Sequence, residues 1–227
     1  MQNNLVFLEP NRIDAVPFTT SKIIAEITGI RHDKIKAAIS KQKIALETFG
    51  LLTSYEGECF GNKPTSYQGG LGGRGNETGY KLSEPQATLL ITFLKNTPVV
   101  VAFKTELVRQ FYLMRAELLK RQINREQLKP IRRELTDVIQ EKEPDNKWAY
   151  KQYTDLAYKA AIGKNAAQVR KERNASKKSV AIDYMTSEEI EKISKLQNQM
   201  AVLKEMGMDY QQIKTLILDG YIMSKIA

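Results

Sequence analysis

Residues 19–43, TTSKIIAEITGIRHDKIKAAISKQK, divide at Gly29 into two short helical segments. Thr19, Thr20 and Ser21 offer hydroxyls to cap the first segment, and Ile23, Ile24 and Ile27 give it an apolar face. Glu26 lies on the polar side. Gly29 fits a helix end that needs positive φ. The second segment, residues 32–41, sets Ile35, Ala38 and Ile39 on one stripe and leaves Lys34, Lys36 and Lys41 on the other face. The window holds six basic residues against two acidic ones. Two short helices across a glycine turn, the second one basic, follow the pattern of a helix-turn-helix. An ordinary helical hairpin with a solvated basic face has the same pattern, and the window alone leaves both readings open.

The rest of the composition narrows the class. The 227-residue chain carries a net charge of +9, spread over both halves. That balance fits a nucleic-acid partner. The single cysteine, Cys59, excludes an intramolecular disulfide framework and fits a reducing cytoplasm. No apolar run reaches the length of a membrane helix, and no signal peptide is visible, so a soluble protein of the bacterial cytoplasm with no membrane partner is expected.

Around the helix pair, residues 4–9 and 12–18 read as short extended segments covering its core. Residues 57–79 hold eight of the thirteen glycines. A loop is expected there, flanked by short strands, at the place where a winged helix has its wing. Lys63 and Arg74 are its basic residues. The letters of residues 70–75, GLGGRG, match GxGxxG, but no strand closely precedes them and no helix opens after them, which argues against a dinucleotide site.

Ser83, Pro85 and Gln86 announce a helix start. A long amphipathic helix over residues 99–127 follows, with Val100, Phe103, Leu107, Phe111, Met114 and Leu118 at three-to-four spacing. Two roles fit it: a core helix with an overhanging end, or a pairing helix that would make the protein a homo-oligomer, most simply a dimer. Pro130 is expected to break it and to set the boundary between domains 1–128 and 129–227. Beyond a further short helix, Trp148 to Ile162 mark a helix stopped by Gly163; Asn165 caps the next. Thr186–Glu189 and Asp209 cap two more. Residues 159–178 hold seven basic residues against one acid, the densest basic stretch of the chain. Phosphate contact, an acidic protein partner and a solvated face all fit it. The expected fold class is mainly α with a small β component: a winged-helix-like N-terminal domain, a long helix, and an all-α C-terminal domain.

Catalytic constellations are missing from the sequence. One histidine, His32, and one cysteine give no zinc site, and no HExxH or CxxC occurs. His32 stands among lysines, with Asp33 as its only near carboxylate, a poor setting for a catalytic triad. The expectation is a non-enzyme with no cofactor and no metal.

Residues 18–121 resemble the phage Rha regulatory family. The residues that carry the likeness are Thr20, Ser21, Ile24, Ala25, Gly29, His32 and Ile35, then Tyr80, Leu82, Leu89 and Leu90, then Lys104, Val108 and Phe111. The glycine-rich insertion at 69–79 is longer than that pattern. The second half is similar to a C-terminal module of phage antirepressors. The resemblance implies a phage or prophage regulator of the lysis–lysogeny choice, acting on DNA, on a repressor protein, or on both. In the DNA-binding reading Arg31, His32, Lys34 and Lys36 face the groove, with Thr20, Ser21, Lys22, Lys41 and Lys43 beside it, Lys63 and Arg74 on the wing, and Lys164, Arg170, Lys171, Arg173, Lys177 and Lys178 on phosphate. The alternative is an antirepressor that works by protein–protein binding to a phage repressor, through the long helix or the C-terminal helices.

Overall fold

The computed structural model describes residues 4–56 and 78–218. It divides into two compact units, one of residues 1–9 and 16–115, the other of residues 10–15 and 116–227.

The first unit opens with strand β1 (Phe18–Thr20), which runs into helix α1 (Ser21–Thr28). Thr20 ends the strand and caps the helix: its Oγ1 accepts from Ile23 N–H at 3.2 Å. Gly29, at φ +70°, stops α1 in the left-handed region open to glycine without strain. Ile30 and Arg31 complete the turn into α2 (His32–Lys41), and α3 (Lys43–Glu47) follows at once. Strands β2 (Thr53–Glu56) and β3 (Thr78–Ser83) complete an antiparallel sheet in the order β1-β3-β2, with Thr19 opposite Leu82 and Ser54 opposite Tyr80. A strand, three helices and a returning pair of strands whose second member lies in the middle is a winged-helix-like topology. The expected wing, with Lys63 and Arg74, and the flanking pieces at Cys59–Phe60 and Ser66–Tyr67 lie outside the described residues. The extended segments expected near the N-terminus reduce to one bridge between Phe7 and Phe18, with Leu5 and Val6 buried beside it.

Helix α4 (Glu84–Thr92) begins where Gln86 Oε1 accepts from Ser83 N–H. The same buried side chain donates to Gly50 O at 2.7 Å, which ties the end of the α3 loop to α4. Ile24, Ile35, Ile39, Leu46, Leu82 and Leu90 form the core, closed by Leu107 and Phe111 of the long helix α5 (Pro98–Lys142). Apolar burial is the main stabilising term here, each such side chain contributing roughly 1.5–3 kcal/mol.

The break expected at Pro130 does not occur. α5 continues through it to Lys142 and absorbs the short helix expected at 131–139. Pro130 lies on the exposed side, so the Glu126 carbonyl that loses its amide partner meets water. Leu128, Leu135 and Ile139 are buried on the other side, and that burial outweighs the lost bond. The division between units falls between Arg115 and Ala116.

The second unit is helical throughout its described part. Helix α6 (Ala149–Ile162) ends at Gly163, φ +71°; α7 (Ala166–Glu172) starts from a reciprocal Asn165–Gln168 capping box; α8 (Ser187–Glu205) starts from a Thr186–Glu189 box; α9 (Tyr210–Leu218) is capped by Asp209. A 3-10 turn, Ala181–Tyr184, leads into α8. Tyr153, Leu156, Ile190, Ile193, Leu196, Met200, Ile213 and Ile217 are the centre of its core.

Candidate nucleic-acid interface

Burial fixes the outward face of α2. Ile35 and Ile39 are fully buried, and Ala37 is exposed midway round the other side. Lys34 and Lys41 flank Ala37 on one edge, three and four residues away; Ser40 and the partly exposed Lys36 flank it on the other. Among the described residues Lys34, Lys36 and Lys41 enter no ion pair. The face therefore has a small centre and a cationic border, a shape that lets a helix approach a polyanion closely. Ala37 and Ser40 are the residues the charge count passed over, although their spacing from Ile35 and Ile39 already placed them there.

The N-terminal end of α2 is organised by two neighbours. Arg31 grips Asp33 with two bonds, 2.7 and 3.1 Å, while its side chain stays 80% exposed. The guanidinium holds the Asp33 carboxyl below its ordinary value. An exposed pair of this kind contributes little stability. His32 is partly buried, with Nε2 2.9 Å from Ser21 Oγ; Tyr80 N–H donates to that same Oγ at 2.9 Å. One serine thus ties the start of α1, the start of α2 and strand β3.

That arrangement corrects part of the expected contact set. Thr20 and Ser21 are 1% and 0% exposed, and their hydroxyls serve the fold, so they leave the interface. Lys22 is partly buried. Lys43 is exposed and lies 3.8 Å from Glu47. Arg31, Lys34, Lys36 and Lys41 form the coherent surface, with His32 beneath them as a positioning contact.

The basic stretch of the second unit is dismantled in a similar way. Arg173 is largely enclosed: it donates to both carboxylate oxygens of Glu189, at 2.9 and 2.5 Å, and to the Tyr184 carbonyl. Its guanidinium is engaged within the unit rather than left for an outside anion. Burial raises the Glu189 carboxyl, but Arg173 and the Thr186 cap outweigh it and hold the group below its ordinary value. Lys164 pairs with Glu172 at 2.5 Å. Asn174, at φ +52°, ends α7 and turns the chain, with Ala175 N–H donating back to Arg170 O. Lys171, Lys177 and Lys178 remain exposed, while Arg170 faces a chamber described below.

Fold and exposed cations together define the first unit as a winged-helix-like module with a basic second helix. Residues 19–116 match the model of the phage regulatory protein Rha family. The match ends within one residue of the boundary between the units, so it describes the first unit and leaves the helical second one outside. No curated protein matches the chain. The family supports a phage regulatory role.

Proposed function

We propose that the protein is a phage or prophage regulator that binds DNA through the exposed face of α2 and influences the lysis–lysogeny decision. The observation that carries this reading is the surface of α2: three lysines unspent on the fold border a small-residue centre, on the helix that follows the turn at Gly29. Lys34, Lys36, Lys41 and Arg31 would neutralise phosphates and supply most of the affinity. Ser40, and the groups that α2 brings to base edges, would supply the sequence preference. The second unit is read as an antirepressor-type module that positions a partner or adds non-specific affinity. The protein works in this reading as a binding protein rather than an enzyme.

Selection of bound sequences from random duplex DNA by the purified full chain tests the proposal. A shared motif among the recovered duplexes is expected. An inverted repeat within it is expected of a homo-oligomer, because paired modules read paired half-sites. Recovery of random sequence would sink DNA recognition and favour the antirepressor reading. One observation serves that second reading: Phe49, Pro85 and Leu89 line an open, apolar groove of about 540 Å³ on the first unit, a surface suited to a protein segment rather than to phosphate.

A further inference from the structure

The second unit encloses an open chamber that its helix packing leaves unfilled. Arg132 of α5, Lys151 and Asp155 of α6 and Arg170 of α7 line an outer part of about 460 Å³. Tyr150 and Thr154 continue the wall into an inner part of about 140 Å³, which Arg132 also borders. Leu135 and Ile139 give the inner part an apolar wall, and Thr136 and, from α8, Gln197 join Arg132 and Thr154 as its polar groups.

Three features point to a ligand. Three cations face one carboxylate in the outer part. Among the described residues Arg132 and Arg170 enter no ion pair, whereas their neighbours Arg125 and Arg173 are bound to Asp183 and Glu189. The two arginines, from different helices, line the same outer part. Gln197 is 1% exposed, yet its side-chain carbonyl has no hydrogen-bond partner among the described residues. Such a group costs stability and calls for a partner. A volume of this size, with arginines beside apolar and amide groups, suits a small organic anion.

We propose that this chamber binds a phosphate-bearing ligand of nucleotide size, its phosphate between Arg132 and Arg170 and its ring against Tyr150, with a polar edge reaching the Gln197 amide. Two arginines match a phosphate dianion through paired N–H bonds, and Lys151 adds charge at the rim. The ring's edge would satisfy Gln197, whose amide can turn to meet either a donor or an acceptor. The phosphate can come from a free mononucleotide or from the 5′ end of a nucleic-acid strand.

Calorimetry on the full chain separates these sources. The four 5′-mononucleotides, their unphosphorylated nucleosides, and single strands with and without a 5′ phosphate serve as probes. Binding of a mononucleotide or of a 5′-phosphorylated strand is expected, weakened at least tenfold without the phosphate. Arg132→Gln with Arg170→Gln should lose at least tenfold in affinity, and Gln197→Leu should reduce the preference among bases. Lys151→Glu, at an exposed position, provides a second test that leaves the core alone and should also weaken binding. Mononucleotide affinity, read apart from the strands, does not involve the α2 lysines, so failure of the DNA proposal does not carry over. No binding at millimolar concentration, equal binding with and without phosphate, or affinity indifferent to both the arginine pair and Lys151→Glu would overturn the proposal.

Discussion

The two basic surfaces of this protein look alike when charges are counted and differ when partners are counted. Six basic residues crowd residues 19–43 and seven crowd residues 159–178. In the first, Lys34, Lys36 and Lys41 enter no ion pair among the described residues, and Arg31 pairs with the exposed Asp33. In the second, Arg173 is absorbed by Glu189, sixteen residues away, and Lys164 by Glu172. A basic stretch becomes a basic surface only where the fold supplies no carboxylate to meet it. The charge that matters to a polyanion is the charge left after folding.

Acid should open the sharpest difference between the units. In the second unit the carboxyls of Glu117, Glu143 and Glu189 all lie below their ordinary values. Burial opposes this for each. For Glu117 it is outweighed by Ser187 and Arg121, for Glu143 by Lys204 and Asn146, and for Glu189 by Arg173 and the Thr186 cap. Because the folded state binds fewer protons here than the unfolded chain, this stabilisation is fully present above the unfolded value near 4.5. It is lost as pH falls through the lower folded values. In the first unit Asp33 and Glu106 are also lowered, but Asp33 is exposed and Glu106 only half-buried, each paired with an arginine of its own surface, and both carry little stability. Thermal melts from pH 7 down to about 3, followed by amide exchange, should show the second unit weakening first. Uniform loss across both units would erase the distinction.

A single substitution should show the same contrast at neutral pH. Arg173→Gln removes a charged partner from the part-buried Glu189 and from the Tyr184 carbonyl. A loss of about 2 kcal/mol in urea unfolding is expected. Non-specific duplex affinity at a temperature where the unit stays folded should change less than twofold. A large affinity loss with unchanged stability would return Arg173 to the interface.

The smallest effect on the fold belongs to α2. Lys34→Ala with Lys36→Ala should shift stability by less than about 0.5 kcal/mol. The slope of log affinity against log salt should flatten by about one to two units. An unchanged slope would remove this helix from any DNA contact, and the two basic surfaces would then differ only in folding role.

Much of the architecture was legible in the sequence because it is set locally. Gly29 and Gly163 end helices where positive φ is needed. The boxes Asn165–Gln168 and Thr186–Glu189 start helices because both partners lie within one turn. Ile35 and Ile39 fix the inward side of α2 by spacing alone, and with it the outward lysines. Pro130 was misread because a local rule met a non-local force: its ring sits on the wet side while Leu128, Leu135 and Ile139 hold the other side in the core.

The candidate site was legible in its cations and not in its hydroxyls. Thr20 and Ser21 read as surface caps beside a groove, but β3 returns from far along the chain to cover them, and Tyr80 N–H lands on Ser21. No pattern within residues 19–43 contains that strand. The same holds for Gln197 and the arginines of the chamber, which come from three helices, α5, α7 and α8, and come near one another only by folding. Sequence by itself determined where helices begin and end and which side of α2 is apolar, since capping bonds and helical periodicity act within a few residues. Tertiary structure decided which charges remain free, which hydroxyls are buried and where an unfilled volume lies, since ion pairing and burial depend on residues that the chain brings together only by folding.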